Sequence, residues 1–230
     1  MVKKYSEQGE PSLILFDCDG TLVNSHGAIV DAMQKAFMAS GLLPPPSENV
    51  HAVIGLSLSE AVRKLHGMDN PSIMQAYRDY YVASEAGLAL FPGVRETIST
   101  LRERGYWLGI VTGKSRPGLL RVMDQFSLTE HFLVWRTADC CPSKPHPGMV
   151  LESMHELGVG GGNTTVVGDA CFDMEMAKAA GVAAIGVSFG VATADQLEKA
   201  GAGAIAHDFS DLLEYFPHLQ DDMASATIAS

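Results

Sequence analysis

Two carboxylates one residue apart mark the part of this chain where chemistry is most legible. In the run Leu13-Ile14-Leu15-Phe16-Asp17-Cys18-Asp19-Gly20-Thr21-Leu22, four apolar residues stop at Asp17 and Asp19, and a glycine follows. Two acids so close repel each other unless a cation lies between them. The pair suggests a metal site with a nucleophile in it. Other polar groups share this placement at the end of an apolar run. Thr112-Gly113 follows Trp107-Leu108-Gly109-Ile110-Val111, and Gly168-Asp169 follows Thr164-Thr165-Val166-Val167. Lys144 stands in Cys141-Pro142-Ser143-Lys144-Pro145-His146-Pro147-Gly148, where prolines restrict the backbone on both sides. A lysine held among several carboxylates has an electrostatic reason to be there.

The elements that would position these groups can be read from the same pattern. A buried parallel strand is a continuous apolar run, and ligands of open α/β sheets bind beyond the carboxyl ends of such strands. Strand-like runs cover 12–16, 107–111, 132–135, 164–167, 183–187 and, briefly, 204–206. Helical spacing covers 94–104, 115–125, 149–157 and 171–180, with Gly105, Gly158 and Gly181 where helices end. The alternation predicts the α/β class, a Rossmann-like parallel sheet covered on both faces. Residues 23–90 break it. They hold helical stretches at 27–40, 59–66 and 71–84, a stiff proline loop at 43–47 and no strand. We read them as a small all-helical cap inserted after the first strand. Residues 1–22 and 91–230 then form the catalytic core, with hinges near 21–25 and 90–93. Met174 and Met176 are expected in the core, and Gly160-Gly161-Gly162 precedes a strand, so it is no phosphate cradle. The tail 221–230 is small and polar and is expected to be disordered.

Composition bounds the function. The chain has 230 residues, 47% of them hydrophobic, and a net charge of −11. The longest basic cluster, Lys3-Lys4, is too short for nucleic acid or an anionic membrane face. Cys18, Cys140, Cys141 and Cys171 form no C-x-x-C pair, and no histidine stands at zinc spacing. No apolar run approaches the roughly 20 residues of a membrane span. These features predict a cytoplasmic protein. His26 and His146 fall near the proposed site but read as packing or surface residues. The loop 53–59 precedes a helix carrying Arg63 and Lys64; either base could bind a substrate carboxylate if it faces the site, but both read as solvated, with Ser59 as the helix cap.

Asp17-x-Asp19-Gly20-Thr21, Thr112-Gly113, Lys144-Pro145 and Gly168-Asp169-x-x-x-Asp173 together resemble the four motifs of the haloacid dehalogenase superfamily, in order and over nearly the whole chain. The most similar subgroup is the phosphoglycolate phosphatase-like set. The resemblance implies Asp17 as nucleophile and Asp19 as general acid and base, the latter with a raised pKa. It implies Thr112, Gly113 and Lys144 as phosphoryl-binding groups. Asp17, Asp19 (through its backbone carbonyl), Asp169 and Asp173 would hold Mg²⁺. The implied reaction is hydrolysis of a small phosphomonoester through a phosphoaspartate. A monomer or homodimer acting on a small phosphorylated metabolite is expected. The alternatives are a phosphomutase of the beta-phosphoglucomutase type and a non-catalytic interaction protein on the same fold. Asn24 and Ala170 depart from the usual residues at their positions.

Overall fold

A computed structural model describes residues 11–219; the tail read as disordered lies outside them. The strands are β1 (Leu13–Phe16), β2 (Val23–Asn24), β3 (Ala89–Leu90), β4 (Trp107–Val111), β5 (Val134–Arg136), β6 (Thr164–Gly168), β7 (Ala183–Val187) and β8 (Ala204–Ala206). Six of them form a parallel sheet in the order β5-β4-β1-β6-β7-β8. β1 lies between β4 and β6, with Phe16 level with Ile110 on one side and Val167 on the other. The chain builds outward from β1 to β4 and β5, then returns to its other side at β6. The carboxyl end of β1 is therefore the point where strand order reverses, the usual place for a ligand crevice.

The period of two in β1 sends Ile14 and Phe16 into one core and Leu13 and Leu15 into the other. The first core receives Ile98 and Leu101 from α5 (Val94–Glu103) and Leu119 and Val122 from α6 (Arg116–Gln125). The second receives Met149 from α7 (Gly148–Leu157), Leu197 from α9 (Ala194–Ala200), and Met174 and Met176 from α8 (Cys171–Ala180). Met174 and Met176 are packed as expected. No helix among the described residues is long and apolar enough to cross a membrane.

Between β2 and β3 the chain is helical: α1 (His26–Ala39), α2 (Ser47–His51), α3 (Leu58–His66) and α4 (Pro71–Ser84). α1 and α4 pack together as the main pair, burying Ile29, Met33 and Phe37 from one and Ile73 and Tyr81 from the other. α4 starts where its sequence says it should: Pro71 opens it, and the Asn70 side chain accepts from the Ser72 and Ile73 amides. Ser57, not Ser59, caps α3, accepting from the Glu60 amide.

Four expectations are corrected. The third strand begins at Val134 rather than 132, because Phe132 turns into the core and Trp135 Nε1 donates back to its carbonyl. The stretch 23–90 does contain strands, since β2 and β3 pair as a two-residue antiparallel ribbon at its two ends. The proline loop ends in a helix, as α2 starts at Ser47. α9, opened by a Thr193–Gln196 capping box, was not anticipated.

Helices α1–α4 rest on the strand ends at several points. The Ser57 amide donates to Ser143 Oγ (2.8 Å), and Lys64 Nζ lies 5.0 Å from the Phe172 ring centre. Gly113 faces the backbone carbonyls of Gly55 and Leu56 so closely that a Cβ would overlap them. Gly113→Ala is therefore expected to hold these helices off the sheet. With an overpacking cost of about 1–3 kcal/mol, the Ser57 amide should exchange with solvent about tenfold faster or more. Unchanged exchange at Ser57 would contradict this close seating.

Candidate active site

β1 ends at Phe16, and the Asp17 amide still donates to the Val167 carbonyl (2.9 Å), so the sheet fixes Asp17 at its rim. β6 delivers Asp169 beside it, and the first turn of α8 delivers Asp173. Carboxylate oxygens of these three buried acids lie within 4.8 Å of one another. Lys144 enters the group from its proline-rich loop with its side chain fully buried. Its Nζ stands 2.8 Å from Asp17 Oδ1 and 2.6 Å from Asp173 Oδ1. Burial alone would drive the ammonium toward deprotonation, but the two carboxylates outweigh it and its pKa is raised.

The acids are held one by one. Asp169 Oδ1 accepts from Thr21 Oγ1 (2.9 Å) and Oδ2 from the Val191 amide (2.9 Å). Asp173 Oδ2 accepts from the Ala170 amide (3.1 Å). This is half of a capping box, since alanine has no side-chain acceptor to return. Asp17 is different. Its Oδ1 meets Lys144 only as an ion pair off the hydrogen-bond line, and its Oδ2 has no hydrogen-bond partner among the described residues. Desolvation, opposed by Lys144 and reinforced by Asp173 and Asp169, pushes the Asp17 pKa well up. Burial likewise raises that of Asp173. An unsatisfied buried carboxylate oxygen facing two more carboxylates is what a hard divalent cation would complete. Gly20, at φ +84°, makes the turn beneath them, where a Cβ would collide with His26 and Asp169.

Asp19 is not in this cluster. Its carboxylate turns toward α1–α4, where both oxygens accept from Lys114 Nζ at 2.8 Å. Oδ1 also accepts from Ser25 Oγ (2.6 Å) and, at 3.4 Å, from the Tyr81 hydroxyl. Lys114 Nζ additionally contacts the Tyr81 oxygen at 2.8 Å. Burial would raise the Asp19 pKa, but Lys114 and Ser25 overcome it and the net shift is downward. This is opposite to the raised value expected, because the sequence reading had no cation beside Asp19. Thr112 is buried, and its Oγ1 accepts from the Lys114 amide (3.2 Å), which leaves its own O–H free to donate. Asp17, Asp19, Thr112 and Gly113 all face one cavity of about 580 Å³ between the strand ends and helices α1–α4.

Of the residues singled out from sequence, Asp17, Asp169, Asp173 and Lys144 meet directly, and Thr112, Gly113 and Asp19 share the cavity with Asp17. Arg63 is exposed and pairs with Glu60 and Asp69. His26, read as packing or surface, has its Nε2 3.3 Å from Asp169 Oδ2. Lys114, Tyr81, Ser25 and Thr21 were missed. Lys114 carried a signal, being the first cation after Thr112-Gly113 at a strand end.

The sequence profile of the haloacid dehalogenase-like hydrolases matches residues 14–187. This chain belongs to that family. It is 34% identical over 210 residues to "Probable phosphatase IndB" of Dickeya dadantii, covering 87% of this chain and 91% of that protein. It is 30% identical over 210 residues to a phosphoglycolate phosphatase of Photorhabdus laumondii, with 87% and 90% covered. Its fold matches the crystal structure of a predicted phosphoglycolate phosphatase from Haemophilus somnus at a TM-score of 0.82. That likeness holds at 24% identity and covers 92% of this chain and 100% of the other. In this haloacid dehalogenase-like hydrolase the buried acids and Lys144 occupy the crevice that the strand order marks out.

Raised pKa values at Asp17 and Asp173 mean that protons compete with any cation bound there. The affinity of any divalent cation bound there, measured calorimetrically with Mg²⁺, should therefore rise with pH beyond the usual carboxylate range, with protons released on binding. Affinity independent of pH would place the cation elsewhere.

Proposed function

We propose that this hydrolase is a Mg²⁺-dependent phosphatase that cleaves a small phosphomonoester through a phosphoaspartate on Asp17. The observation that carries the reading is the unpartnered Asp17 Oδ2 in a cavity that also holds Asp19 and Thr112. The residues fit a divalent cation: Asp17, Asp169 and Asp173 would hold it, with the Asp19 backbone carbonyl as a further ligand. When bound, it would neutralise the clustered carboxylates and the phosphoryl oxygens.

Asp17 attacks phosphorus, and the bond from phosphorus to the ester oxygen breaks. Asp19, protonated, gives its proton to the departing alkoxide. Water then attacks the same phosphorus, Asp19 takes the water's proton, and phosphate leaves with the Asp17 carboxylate restored. The Thr112 hydroxyl, the Gly113 N–H and Lys144 hydrogen-bond or neutralise the transferring oxygens. Asp19 must carry a proton for the first step and be ionised for the second. Lys114 favours the ionised form, whereas a phosphate dianion entering the cleft favours the protonated one. The opposed influences suit a group that must do both. A phosphomutase would instead return an isomer with little free phosphate, so mass balance separates the two.

Asp17→Asn should lower turnover of p-nitrophenyl phosphate by roughly a thousandfold or more while the chain stays folded, because Lys144 keeps Asp173 as partner. Turnover that survives this change would rule out Asp17 as nucleophile. Lys114→Met removes the cation that lowers the Asp19 pKa. Asp19 would then ionise only at higher pH, so the acid limb of the kcat profile should move upward in pH. An unmoved limb would mean that another group titrates there.

A further inference from the structure

The cavity over Asp17 has two unlike halves. Its floor is the polar strand end, with Asp17, Asp19 and Thr112. Its walls, from α1 to α4 and the loops between them, carry Ile29, Met33, Val53, Ile54, Met74 and Tyr77. At about 580 Å³ it is in the range of roughly 300–1,000 Å³ that takes ligands of drug size, far more than a two-carbon acid phosphate fills.

A substrate carboxylate finds no buried partner on this lining among the described residues. Lys114 is held by both oxygens of Asp19. Arg121 is held by both oxygens of Glu85, at 2.7 and 2.9 Å. Arg78 is exposed on α4. The helix starts on the lining, α3 and α6, are capped by their own Ser57 and Ser115. An unpaired carboxylate against apolar walls is strongly disfavoured. A ring is not: Tyr77, on the lining, already stacks on Tyr81 with ring centres 5.7 Å apart.

We infer that the alcohol half of the substrate is apolar: a phosphomonoester whose leaving group carries an aromatic ring or a comparable apolar body, and no carboxylate. This rests on the phosphatase reading above and narrows its substrate class.

The test is phosphate release by the full chain with Mg²⁺ from 3-phenylpropyl phosphate, propyl phosphate and phosphoglycolate, all of which expel an alkyl alkoxide. The phenylpropyl ester should exceed both others in kcat/KM by roughly 10- to 100-fold, mostly through KM. Met74→Lys, which places a cation on the cap wall, should reduce that preference at least about tenfold and shift it toward phosphoglycolate. The ratio on the unaltered chain decides by itself. Phosphoglycolate equal or preferred, above all if Arg78→Gln removes that preference, would overturn the apolar leaving group and leave the phosphatase reading standing. Release from none of the three, nor from p-nitrophenyl phosphate, would overturn the phosphatase reading and this inference with it.

Discussion

The buried ammonium of Lys144 is the constraint on which the rest depends. Asp17, Asp169 and Asp173 converge at one rim of the sheet with no solvent to separate them. Three ionised carboxylates cannot share such a space unopposed. Lys144 touches two of them, and hydrogen bonds from Thr21 and the Val191 amide hold the third. That bracing leaves one oxygen, Asp17 Oδ2, without a partner. The fold thus concentrates its electrostatic deficit on a single atom of a residue that lines the cavity.

A second cation sets the state of Asp19. Two residues after Asp17, its carboxylate leaves the cluster and is captured by Lys114. Strand alternation would leave residues 17 and 19 on one face; the two acids part because β1 ends at Phe16 and the chain turns at Gly20. One is pushed toward its neutral form by burial, the other toward its ionised form by a lysine. Environments that push paired carboxyl groups apart are how a single site divides nucleophile from acid–base duties. Tyr81 touches the Asp19–Lys114 pair from α4, so the position of that helix bears on the electrostatics of the floor.

Much of this arrangement was legible before any coordinates. Asp17, Thr112 and Asp169 each end an apolar run, and adjacent parallel strands must bring such ends together. Lys144 was legible because prolines surround it. What escaped depended on geometry that no local pattern encodes. The contact of Tyr81 with Asp19 follows from the rotation of α4 about its axis. The Val191 amide is backbone, which sequence pattern does not distinguish. The β2–β3 ribbon is two residues on each side, too short for a period of two to register. α2 was hidden by the three prolines before it, which read as loop. Lys114 was visible, yet its role depended on which way Asp19 turned.

Division of labour between the two halves of the cavity gives the site its logic. The floor is built from strand ends locked by ladder hydrogen bonds on both sides of β1, and its charges are mutually braced. A change there disturbs every partner at once. The walls come from a helical insert joined to the sheet through a two-residue ribbon, and among the described residues Tyr81 is the wall side chain on the apolar lining that bonds to the floor. Apolar walls can be reshaped with modest cost so long as volume is conserved. Recognition of the alcohol can therefore change while phosphoryl chemistry stays as it is. The exception is α4, because Tyr81 ties the wall to Lys114 and Asp19. Any ligand that displaces Tyr81 would loosen the ion pair that keeps Asp19 ionised. Occupancy of the cavity beside Tyr81 and the proton state of Asp19 are then linked through one hydroxyl.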